Sequence, residues 1–172
     1  MLGGYLAAHG AQKLFGAFDG PGLEPVSKGF ERIGLRPGKA MATAAGASEL
    51  GGGLLTAAGA LSPLGPLVLT GTMAVASTTH RASGPFAQKG GYELALTNLA
   101  GALVLASTGP GRFSLDSLLG IRVPRRARLL AALIGLVAAA ATIATMLRAT
   151  PPTVVAPASE SSDQVESEDL QA

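Results

Sequence analysis

The sequence predicts an all-α, polytopic membrane fold: a four-helix bundle, an extra C-terminal fifth transmembrane helix and a disordered tail. Three observations lead there. Five apolar windows, at residues 1–18, 40–60, 64–80, 92–108 and 129–147, approach the roughly 20 residues that a spanning helix needs. The chain of 172 residues is 48% hydrophobic and 14% charged, with a mean hydropathy of +0.39, a balance that a soluble domain of this length seldom needs. Finally, His9, Lys13, Glu49, His80 and Glu93 lie inside or at the ends of those windows. A charge in the bilayer interior costs about 2.5 to 3.5 kcal/mol on insertion scales, and it survives mainly when paired, solvated or useful.

The first window is short. From Met1 to Phe18 a helix reaches only about 27 Å at 1.5 Å per residue, with Lys13 inside it, so either that helix tilts little or the true start lies upstream. A signal peptide is disfavoured, because the segment lacks a basic start and is interrupted by His9, Gln12 and Lys13. Residues 19–39 carry Lys28, Arg32, Arg36 and Lys39 interleaved with Phe30, Ile33 and Leu35, the pattern of an interfacial helix or ordered loop. The second window is rich in Ala and Gly, with Gly46, Gly51, Gly52, Gly53 and Gly59. Small residues let backbones approach closely, which predicts an interior helix. An uncharged turn with Pro63 and Pro66 joins windows two and three into a helical hairpin.

Windows four and five are separated by Gly109-Pro110-Gly111-Arg112, which reads as a turn because no Gly-x-x-x-x-Gly-Lys-Ser/Thr phosphate cradle is present. Asp116, two residues after Ser114, is placed to cap a short run from Ser117 to Ile121. The expected organisation is a membrane helical bundle over 1–120, a basic linker over 121–128, the extra transmembrane helix over 129–147 and an acidic tail over 148–172. That tail is dominated by Pro, Ser and acids without an apolar face, so disorder is expected.

Arg122, Arg125, Arg126 and Arg128 fall within seven residues directly before the last window. The positive-inside rule therefore puts that loop and the N-terminus in the cytoplasm and the acidic tail outside. A pI near 9.3 does not call for nucleic acid, since the net charge is only +2 and the basic residues flank apolar runs. With no Cys, thiol and iron–sulfur chemistry are excluded from this chain.

If Phe18 and Ala40 mark one membrane face, His9 and Glu49 each lie nine residues in, about 13 Å deep by helical rise. They meet near the midplane, and Lys13 lies one turn from His9 on the same face. His9, Lys13 and Glu49 thus form the expected buried polar pocket. Gln12, His80, Tyr92 and Glu93 are expected to form a wet vestibule on the same side. Two readings stand: a protonatable pocket serving proton relay or quinone-headgroup binding, or a structural polar knot that fixes helix packing. No metal is expected, because the Glu-x-x-His spacing of carboxylate-bridged bundles is absent, and no catalytic residue is assigned.

The run His9-Gly10-Ala11-Gln12-Lys13-Leu14-Phe15-Gly16 resembles the DoxX family of small bacterial integral membrane proteins. Glu49 followed by Gly51-Gly52-Gly53-Leu54-Leu55, then Pro63, His80, Gly91-Tyr92-Glu93-Leu94, Gly109-Pro110-Gly111 and Ser114-Leu115-Asp116 continue that likeness in order over residues 1–120. The resemblance implies a four-helix, multi-pass unit in the bacterial cytoplasmic (inner) membrane and a broad tie to thiosulfate–quinone and related redox systems. It does not imply catalysis. Two departures stand out: the first helix begins closer to His9 than in typical members, and residues 121–172 are additional.

The leading expectation is an accessory membrane subunit of a quinone-linked redox system, rather than a stand-alone enzyme. Its partners would be the lipid bilayer and a redox protein or quinone, with quinone the cofactor the resemblance allows. The alternatives are a proton-coupled small-molecule transporter, which predicts broken helices near the site, and a membrane scaffold whose tail recruits partners. Oligomeric state is left open.

Overall fold

The computed structural model describes residues 1–148. Among these, seven α-helices and two short 3₁₀ turns occur and no strand: α1 (Leu2–Phe15), α2 (Leu23–Arg32), α3 (Gly38–Ala58), α4 (Leu64–Thr79), α5 (Glu93–Thr108), α6 (Leu115–Leu118) and α7 (Arg125–Arg148). The disorder expected of the acidic tail falls on residues outside those described, apart from Arg148, which ends α7.

Helix α1 is stopped by Gly16 in the left-handed conformation, whose N–H bonds the Gln12 carbonyl, a common way to close a helix on a residue without a Cβ. Helix α1 packs antiparallel on α3, and this is the most extensive helix pairing of the fold. The contact is glycine-dependent. A Cβ on Gly53 would stand 2.5 Å from the Ala7 amide nitrogen, and one on Gly10 would run into the backbone of Leu50. Gly10 and Gly53 therefore bring the two backbones together, as small residues do where helices meet in lipid.

Helix α2 occupies the region expected to be interfacial. It buries no residue, carries an exposed Glu24–Lys28 pair at 3.2 Å and lies against α3. Glu31 Oε1 accepts the Gly38 N–H at 3.2 Å, satisfying one of the donors left open at the start of α3.

Helices α3, α4 and α5 pack in sequence, and α7 lies against both α4 and α5. The core where they converge consists of Leu6, Leu69, Met73, Ala74, Leu99, Ala102 and Ala139, with Leu2, Leu103 and Ile143 around it. Ser and Thr hydroxyls in these helices bond carbonyls of their own helix, including Thr56 to Gly52 at 2.7 Å, Thr70 to Pro66 at 2.9 Å and Thr142 to Ala138 at 2.9 Å. Such back-bonding satisfies a hydroxyl where water is absent. Large apolar side chains nonetheless face outward, among them Leu54, Val104, Leu133, Ile134 and Val137, more than a water-facing surface usually tolerates.

Among the described residues, one helix, α7, is long and apolar enough to cross a membrane: it has 24 residues and almost none of its apolar stretch is buried within the fold. Its length is about 36 Å by helical rise, beyond the ~30 Å hydrocarbon core. Helices α4 and α5 are apolar but shorter, at 16 residues each. Helix α7 begins at Arg125 rather than after the expected linker, so Arg125 to Arg128 form its first turn. Pro124 precedes that turn, and arginine is a good helix former.

Asp116 has a different role from the cap expected for a run at Ser117–Ile121. The cap of α6 is Ser114, whose hydroxyl oxygen accepts the Ser117 N–H. Asp116 is buried, and its two carboxylate oxygens accept the Leu61 and Ser62 N–H groups at 2.9 and 2.8 Å. Its own N–H donates to the Gly59 carbonyl at 3.1 Å. The turn between α3 and α4 is thus held by a residue more than fifty positions away, because a carboxylate bonds two adjacent amides more strongly than a neutral acceptor does.

Candidate functional site

The glycine-mediated approach of α1 to α3 carries Lys13 over Glu49. The Lys13 Nζ donates to Glu49 Oε2 at 2.5 Å, and the side chains are 26% and 6% exposed. Glu49 stands near the middle of α3, about 16 Å from that helix's start by helical rise. A carboxylate buried that deeply needs a proton, a cation or a dense set of donors, and Lys13 supplies the cation. Lys13 also lies in the last turn of α1, where the helix dipole favours positive charge.

His9 lies one turn before Lys13. Its ring meets Tyr5 edge to face, with centroids 4.5 Å apart and planes at 81°, a preferred aromatic arrangement. On the facing side, His80 closes α4, and its Nδ1–H donates to the Ala76 carbonyl at 2.9 Å. Asn98 on α5 is buried.

These groups share one cleft of about 210 Å³, lined by His9, Lys13, Glu49, His80 and Asn98 together with Tyr5, Leu6, Met73 and Leu94, among others. The volume is below the roughly 300 to 1,000 Å³ of pockets that enclose drug-sized ligands, and it matches a few waters or one small planar headgroup. One ion pair, two imidazoles and an amide converge there among apolar walls, an arrangement able to donate, accept and relay protons.

Of the residues expected at a vestibule, His80 lines the cleft and Gln12, Tyr92 and Glu93 do not. Gln12 is next to Lys13 and so projects from a different face of α1. Its Nε2 donates to the Phe18 carbonyl at 3.4 Å, and its backbone carbonyl accepts the Gly16 and Gly22 N–H groups. Tyr92 precedes α5, and Glu93 is exposed in that helix's first turn, where an acid is favoured by the dipole and by water. Sequence reasoning missed Tyr5 and Asn98. Both left a signal: Tyr5 is four residues before His9, and Asn98 is a lone amide in an apolar window. Among the described residues, no three His, Asp or Glu side chains are grouped so as to hold a metal ion.

Residues 1–82 match the family model described as DoxX. No match was found among curated proteins or among solved structures. The matched segment carries His9, Lys13, Glu49 and His80, and it ends before α5, which contributes Leu94 and Asn98 to the cleft.

Proposed function

With residues 1–82 belonging to the DoxX family, and the chain therefore a membrane protein, we propose that it is a multi-pass accessory subunit of a quinone-linked redox system in the bacterial cytoplasmic membrane. Helices α1, α3, α4 and α5 form its membrane bundle over residues 1–120, and α7 adds a fifth span. The short helices are accommodated by local thinning of the bilayer, which costs fractions of a kcal/mol per Å of mismatch.

The carrying observation is the Lys13–Glu49 ion pair at the wall of a cleft that also presents His9 and His80. His9, Lys13 and Glu49 act in this reading as a protonatable pocket, with His80 on its wall. A quinone headgroup has two carbonyl oxygens that need donors and a ring that needs apolar contact. Lys13 and the His9 imidazole supply the first, and Leu6, Met73 and Leu94 the second. The chain has no Cys, so a partner supplies any thiol-based redox centre.

The test is thermal stability of the purified protein in detergent with and without a short-chain quinone, beside the redox phenotype of Glu49→Gln. A stabilisation that the variant loses is expected. If quinone leaves the melting temperature unmoved and Glu49→Gln keeps every redox phenotype, the pocket has no such role.

A further inference from the structure

A second cavity, of about 360 Å³, lies at the end of the molecule where the α3–α4 turn, the end of α5 and the start of α7 meet. Arg122 and Arg128 line it, with Ser114, Asp116 and Ser117. Its charge is uneven. The lone carboxylate, Asp116, has both oxygens engaged by the Leu61 and Ser62 amides. The ion pairs among the described residues are Lys13–Glu49 and Lys28–Glu24, so neither arginine has a carboxylate partner there.

Arg128 is tethered through Nη1 to the Thr108 carbonyl at 2.5 Å, while its Nε is buried and without a hydrogen-bond partner. Leaving a buried charged donor unmet is costly. Arg122 is exposed. Beside the cavity stand Phe113, Leu118 and Leu119, exposed by 92%, 81% and 69%, and the Arg112 guanidinium lies 5.2 Å from the Phe113 ring. Cationic groups next to bare apolar side chains, at the start of a membrane-length helix, match the boundary between headgroups and acyl chains.

We propose that this cavity binds the phosphate of an anionic phospholipid, with Arg122 as its principal donor and Arg128 shaping the wall. The inference rests on the membrane reading above. The guanidinium of Arg122 presents paired N–H donors to phosphate oxygens, the Ser117 hydroxyl adds a neutral donor, and the acyl chains run along Phe113, Leu118 and Leu119. Free phosphate offers the same oxygens without the chains, so the two sources are separable by experiment.

Full-length protein is extracted into mild detergent and exposed to phosphatidylglycerol, phosphatidylcholine or inorganic phosphate. Native mass spectrometry counts retained lipid, and thermal melting reads phosphate binding. The expected result is one phosphatidylglycerol retained per chain in preference to phosphatidylcholine. Arg122→Gln should lower that retention by about tenfold, whereas Arg126→Gln, in the first turn of α7 and outside the cavity, should change it by no more than the roughly fivefold of a general surface charge. Stabilisation by inorganic phosphate that Arg122→Gln abolishes supports the site and assigns it to the free anion. Equal retention of the two lipids without a phosphate effect, or equal losses in both variants, overturns it. Melting of Arg122→Gln at the wild-type temperature excludes misfolding. Recovery of the chain in the membrane fraction keeps failure here distinct from failure of the membrane reading.

Discussion

Lys13 and Glu49 meet across the α1–α3 interface with Nζ 2.5 Å from Oε2, and the carboxylate is the deeper partner, 6% exposed against 26% for the lysine. That inequality makes the two ends of the pair unequal under substitution. Lys13→Met strands a buried carboxylate, at a cost of about 3 to 5 kcal/mol for a pair broken from one side. Glu49→Gln leaves an amide oxygen that still accepts from a lysine able to turn toward water, so it costs about 1 kcal/mol. In a double-mutant cycle read by thermal melting in detergent, the combined variant should lose less than the sum of the two. Equal single losses would mean that the pair is solvated on both sides.

The close approach of α1 to α3 makes glycines in one helix respond with opposite signs. A Cβ at Gly53 meets Ala7 backbone, while one at Gly51 meets nothing within 4 Å. Gly51→Ala should be neutral or stabilise by up to about 1 kcal/mol through helix propensity. Gly53→Ala must push the helices apart and should destabilise by about 1 to 3 kcal/mol. Melting temperatures of the two variants decide this, and a Gly53→Ala protein as stable as Gly51→Ala would place α1 elsewhere.

The positions of the helices were legible in hydropathy. The window at 64–80 corresponds to α4 at Leu64–Thr79, and the window at 92–108 to α5 at Glu93–Thr108. Matching depths from the two ends of one connection paired His9 with Glu49, whereas it is Lys13, one turn nearer that connection, whose long side chain reaches the carboxylate. The start of α7 was not legible, because Arg125 to Arg128 lower the hydropathy of a window without opposing helix formation. Nor was the exclusion of Glu93 from the cleft, since depth along a helix says nothing of the direction in which its first turn points. The bond from Asp116 to Leu61 and Ser62 joins distant parts of the chain, and no local pattern encodes it.

That long-range bond yields a local prediction. Asp116→Ala removes the acceptor of two amides, one of them on the buried residue Ser62, and each buried donor left unmet costs about 1 to 3 kcal/mol. Asp116→Asn keeps one carbonyl oxygen and should lose about half as much. Hydrogen exchange at the Leu61 and Ser62 amides is the direct readout: both should exchange faster in Asp116→Ala while the amides of mid-α3 stay protected. Unchanged exchange there would show that another group holds the turn.

Helix α7 docks through a narrow seam. Ala139 is its buried residue, at 3% exposure, whereas neighbouring Ala140 is exposed. Near its end Thr78 Oγ1 lies 3.1 Å from Met146 Sδ, and Arg81 Nη1 is 3.4 Å from the Leu147 carbonyl. A larger side chain at 139 has no room between α7 and the core, so overpacking by about 1 to 3 kcal/mol acts directly on docking. At 140 the same enlargement only adds to an exposed apolar surface. Because the chain has no native Cys, Thr78→Cys with Met146→Cys gives an unambiguous thiol pair for crosslinking in membranes. Ala139→Leu should lower the crosslinking yield severalfold and Ala140→Leu should leave it unchanged. If both variants crosslink like the parent, α7 is held by lipid and its loop rather than by the seam at Ala139.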